Sequence, residues 1–104
     1  MHGPALLFCP ADRPDRYAKA AAAADSVILD LEDAVASENR ASARESLLAT
    51  PLDPSRTIVR VNPAATPDFE LDVDAVRRSG YRTVMLAKTE TPRQLDALAS
   101  MTVR

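Results

Sequence analysis

Four short apolar runs alternate with four stretches of helical pattern, and this alternation constrains the fold more than any other feature. The runs at residues 5–9, 26–30, 57–61 and 83–87 are β-type and nearly continuous in apolar character. Such runs read as parallel strands buried on both faces. The helical stretches have legible ends. A helix over 13–24 starts near Pro14, tolerated in a first turn, and runs into the alanines 20–24. Ser37 is placed to cap a helix over 38–49, which stops before Pro51. Thr66 precedes an N1 proline, Phe69, Val73 and Val76 share one face, and Gly80 can close that helix. Thr91-Pro92-Arg93-Gln94 matches a capping box for a fourth helix, with Leu95 and Leu98 on one stripe. Residues 101–104, "MTVR", resemble the start of a fifth strand.

The order βαβαβαβα implies a parallel sheet with right-handed crossovers. Two architectures fit: an open doubly wound sheet, or part of a (β/α)8 TIM barrel. A complete barrel needs about 250 residues. The 104 residues here suit a single domain, residues 1–104, holding four βα units and the beginning of a fifth strand.

Both architectures collect chemistry at the carboxyl ends of their strands. Asp12 and Arg13 follow the first strand, and Asp30, Glu32 and Asp33 close the second. Arg60 and Asn62 belong to the third, Lys88 and Glu90 to the fourth. Strand ends are often charged because they reach solvent, so any one of these residues also reads as plain rim. Arg60 differs, because it lies between Val59 and Val61 inside an apolar run, where an unpaired charge is costly. Two readings of it stand: a buried carboxylate partner such as Asp30 or Glu32, or an anionic substrate held by the guanidinium fork.

Composition removes several function classes. A net charge of -2 and a pI near 5.3 do not suit a nucleic-acid binder. No run approaches transmembrane length, and the opening "MHGPALLFCP" is too short in apolar character for a secretory signal. The single cysteine, Cys9, excludes an internal disulfide and points to a reducing, cytoplasmic setting. It reads as a buried spectator, since His2 is the one histidine and sits in the terminus. With only Gly3 and Gly80, the chain has neither a Walker loop nor a dinucleotide fingerprint. A free-standing phosphate-binding domain is therefore the weaker architecture.

The segments "LLFCPADRPDRYAKA", "VILDLEDAV", "IVRVNP" and "VMLAKTE" resemble, in order and spacing, the N-terminal half of citrate lyase beta subunit-like proteins of the HpcH/HpaI aldolase family. The resemblance runs from Leu6 to the incipient fifth strand. It implies half of a TIM barrel and a carbon–carbon lyase that cleaves or forms an acyl-CoA hydroxy acid, such as malyl-, citramalyl- or citryl-CoA. It also implies Mg²⁺ polarising the keto-acid oxygen. On this resemblance Arg60 holds the substrate carboxylate or the developing oxyanion. Phe8, Arg13 and Lys19 contact the acyl-CoA, and Glu32 and Asp33 face the metal end as water-ordering groups. Lys88, with Asp30 and Glu90, takes a supporting role. Ala11 stands where the family commonly has glycine, and Ala87 where it has proline.

The family's metal ligands, a glutamate and an aspartate, belong to its fifth and sixth strands, so no residue here is assigned as a ligand. The expectation is a truncated member that does not complete catalysis alone and works as a homo-oligomer or with a complementary C-terminal half. The alternative is a non-catalytic module, derived from the lyase fold, that binds an acyl-CoA, a dicarboxylate or another protein.

Overall fold

The computed structural model describes residues 5–86 and the backbone of 92–94. Strands β1 (Leu6–Pro10), β2 (Ser26–Asp30), β3 (Thr57–Val61) and β4 (Thr83–Leu86) lie side by side in chain order, each parallel to the next. Helices α1 (Tyr17–Ala23), α2 (Arg40–Ala49) and α3 (Pro67–Ser79) make the crossovers. Val27, Leu29, Val59, Val61, Val84 and Leu86 form one buried layer with Tyr17, Ala43, Leu47, Phe69, Val73 and Val76 of the helices. Side chains alternate along a strand, so Phe8, Ile28, Asp30, Ile58, Arg60 and Met85 belong to the other face. This second face carries the candidate site.

The helices begin later than the sequence pattern suggests. Pro14–Arg16 and Ser37–Asn39 form single 3₁₀ turns, and α-helical geometry starts at Tyr17 and Arg40. Tight turns of this kind commonly open helices. No side-chain cap bond is made at the start of α2, so Ser37 does not serve as its cap. Thr66 does precede α3, but its hydroxyl donates to the Pro63 carbonyl (2.7 Å) instead of capping. Gly80 ends α3 in the left-handed conformation, φ 91°.

Two larger corrections concern the sheet. Strand β1 is not buried on both faces: Leu6, Leu7 and Phe8 are 54%, 40% and 53% exposed, because β1 is an edge strand with β2 as its one neighbour among the described residues. The capping-box segment does not begin a helix. Pro92–Gln94 is strand β5, paired antiparallel to β4 with Val84 opposite Arg93. The ladder groups of β4 thus find partners within the chain, outweighing a local helix signal of a few residues. Leu95, Leu98 and the expected fifth strand at 101–104 lie outside the described residues.

Candidate functional site

The register sets Asp30 directly beside Arg60, at the carboxyl ends of β2 and β3. Their side chains therefore leave the same face of the sheet and meet as a two-pronged ion pair. Arg60 Nε donates to Asp30 Oδ1 (3.0 Å) and Nη2 to Oδ2 (2.7 Å). Of the two readings open for Arg60, the buried carboxylate partner is present, and it is Asp30. Glu32 and Asp33 stand slightly further away, at 4.0 Å from Nε and 3.7 Å from Nη2. Phe8, two residues back in register on β1 and so on the same face, lies under the guanidinium at 5.0 Å from its ring centroid, a cation–π distance. Among the described residues Arg60 hydrogen-bonds through Nε and Nη2, both to Asp30.

Asp30 also organises the loop after β2. It accepts the backbone N–H of Glu32 (2.8 Å) and of Ala34 (3.1 Å), while the Leu31 N–H donates to the Arg60 carbonyl (2.9 Å). Leu31 and Val35 are buried, which anchors both ends of this loop. Between them Glu32 stays largely covered, 15% exposed at its side chain, whereas Asp33 is 74% exposed. Burial pushes the Glu32 carboxyl above the ordinary carboxylate range; Asp33 adds to the push and Arg60 opposes it. Hydrogen bonding to Asp30 holds the Arg60 guanidinium more firmly protonated than usual. Among the described residues, three carboxylates around one guanidinium leave local negative charge in excess.

The structure thus brings Phe8, Asp30, Glu32, Asp33 and Arg60 together. Arg13 is engaged elsewhere: its Nε and Nη2 donate to Asp15 at 3.1 and 3.0 Å on the surface. Lys19 lines an open cleft of about 450 Å³ beside β1, with Leu7, Phe8, Cys9 and Arg16. Lys88 and Glu90 lie outside the described residues. Cys9 is buried, and burial pushes its thiol up. Among the described residues no group of three or more His, Cys, Asp or Glu side chains is placed to hold a metal ion. No helix among them is long and apolar enough to cross a membrane.

Sequence reasoning missed Asp72 and Tyr17. Asp72 is fully buried on α3, three residues after Phe69 and four before Val76, so it interrupts the apolar stripe. A carboxylate on the buried face of a helix was the available signal. Tyr17, also buried, donates its hydroxyl to the Ala11 carbonyl (2.6 Å) and so braces the turn after β1.

Residues 5–104 match the family model described as HpcH/HpaI aldolase/citrate lyase. The chain is 57% identical over 97 residues to a citrate lyase subunit beta-like protein of Mycobacterium tuberculosis, covering 93% of this chain and 36% of that protein. It is 42% identical over 82 residues to an L-malyl-CoA/beta-methylmalyl-CoA lyase of Cereibacter sphaeroides, covering 73% and 26%. Its fold matches the crystal structure of protein CitE from M. tuberculosis in complex with magnesium, acetoacetate and coenzyme A, with TM-score 0.81 and 58% identity. That match covers 86% of this chain and 33% of the other. The chain thus spans roughly a third of the length of these relatives, and its four parallel strands correspond to the N-terminal part of their TIM-barrel-like fold. By sequence and by fold, this chain belongs to the HpcH/HpaI aldolase/citrate lyase family.

Proposed function

We propose that this chain supplies the substrate-holding end of a carbon–carbon lyase acting on an acyl-CoA hydroxy acid of the malyl-, citramalyl- or citryl-CoA class. The observation that carries this reading is Arg60: a guanidinium fixed by Asp30 and Phe8 at the carboxyl end of a central strand. An immobilised fork suits a planar carboxylate or a developing oxyanion, since its geometry is set before the ligand arrives. Glu32 and Asp33 order water at the acidic side of the same rim. Phe8 and Lys19 face the acyl-CoA, and Lys19 and Arg16 give the β1 cleft the positive charge its phosphates require. Arg13 joins them by exchanging its exposed Asp15 partner for the ligand, which costs little at a solvent-exposed ion pair. Lys88 takes a supporting role in this reading by offsetting negative charge of the rim, and Glu90 supports Lys88 as its counter-charge.

In this reading residues 1–104 form one partial barrel domain, and the described residues give magnesium acidic neighbours but not its ligands. Cleavage then depends on residues from a complementary C-terminal half or from further copies of the chain, in the cytoplasm. A second reading is a binding module without turnover, in which the same Arg60 rim holds the ligand and forms no product.

Calorimetric titration with malyl-CoA in the presence of Mg²⁺ tests the first claim. Arg60→Ala is expected to weaken binding at least tenfold, the loss of a charge-assisted hydrogen bond of about 1.5–3 kcal/mol. Wild-type-like affinity in that variant would remove Arg60 from the site. Product analysis of the same mixtures separates the readings, because a binder retains the ligand without forming product.

A further inference from the structure

Asp72 is a carboxylate with no exposure to solvent, one residue before Val73 on the core face of α3. A buried charge persists only where donors surround it. Its Oδ2 accepts both the backbone N–H of Asn62 (2.9 Å) and the Asn62 Nδ2 (2.7 Å), and its Oδ1 accepts Arg44 Nη1 (2.8 Å). Asn62, itself buried just beyond the end of β3, directs its side-chain amide to a second acceptor, the Leu31 carbonyl, at 3.1 Å. Leu31 immediately precedes Glu32. Leu31, which leads into the carboxylate pair, is therefore gripped from two sides: its N–H donates to the Arg60 carbonyl and its own carbonyl accepts from Asn62.

We propose that Asp72, acting through Asn62, is a positioning residue that fixes where Glu32 and Asp33 stand at the rim. Asn62 has two amide hydrogens and uses one for each acceptor, so Asp72 settles the orientation in which the other reaches Leu31. Arg44, which also pairs with Asp68 (3.3 Å), anchors Asp72 from α2. The consequence for chemistry rests on the reading of this rim as the substrate end; the positional coupling itself does not.

Carboxyl-carbon NMR titration of Glu32 in the full 104-residue chain tests the coupling. Among the described residues the charged groups that face Glu32 are Asp33 and Asp30 on its own loop and strand, and Arg60 on β3, all untouched by the substitutions. In Asn62→Ala the loop carbonyl loses its donor, so Glu32 gains solvent and separates from Asp33. Its midpoint is expected to move down from its raised position toward the ordinary carboxylate range. Asp72→Asn is expected to shift it in the same direction. Val73→Ala, which removes only core packing on the same helix, is expected to lower the melting temperature and leave the midpoint in place. An unmoved Glu32 midpoint in Asn62→Ala, with a lowered melting temperature, would reduce Asp72 to a fold-stabilising residue and overturn the proposal. Should Asp72→Asn not fold, Asn62→Ala decides alone, since it leaves the Asp72–Arg44 pair in place. Failure of the substrate reading would appear in malyl-CoA calorimetry and leave this titration unaffected.

Discussion

Asp30 does the most at the scale of single residues. It accepts two guanidinium nitrogens and two backbone N–H groups while almost completely buried. Asp30→Ala leaves Arg60 without its principal partner and frees the loop, and removing one member of a buried pair costs about 3–5 kcal/mol. Urea denaturation of the variant is expected to show a loss of that size. Glu32 behaves oppositely. Its folded-state carboxyl binds a proton more tightly than in the unfolded chain, so its contribution to stability is present at low pH and lost as pH rises through the raised folded value. Glu32→Gln is expected to raise the melting temperature at pH 7 relative to the parent, with the gain vanishing below the ordinary glutamate range. A gain of equal size at both pH values would show that charge is not the cause. The cluster was partly legible beforehand: a charge inside "TIVRVN" demands a partner, and "DLED" supplies one. The choice of Asp30 over Glu32 was not legible, because it depends on strand register.

At the scale of elements, the strands could be read because a buried parallel strand leaves a short, apolar run. β2 and β3 occupy the residues so expected, and β1 lies one residue later. Helix starts were less legible, since a 3₁₀ turn and a first α-turn share their residue preferences. The segment at 92–94 misled for a different reason. A capping box reports local preference, whereas β5 forms by pairing with residues 83–85, which no local pattern contains. Gly80 is the clearest end signal. A side-chain Cβ there would meet nothing within 4 Å, so Gly80→Ala tests the backbone alone. The φ of 91° makes this substitution cost about 1–2 kcal/mol. Gly80→Asn is expected to cost less, and equal thermal stability of Gly80→Ala and the parent would refute the strain argument.

At the scale of the molecule, the described residues form a sheet with one face sealed by helices and β1 at one edge. Leu6, Leu7 and Phe8 expose apolar surface along β1, whose outer hydrogen-bonding groups have no strand beside them among the described residues. Such edges associate. Sedimentation equilibrium of the chain is expected to give a mass above its 11.2 kDa, falling toward the monomer in Leu6→Lys. A parent chain that is monomeric across the concentration range would contradict this. At the opposite edge the sheet is differently disposed, because β5 runs against its neighbours. A strand that extends the parallel order from β4 cannot simply dock; it has to displace β5 first. Encounter and incorporation are then separate events on that side. The speed of assembly there would level off at the pace at which β5 lets go, however much partner is supplied.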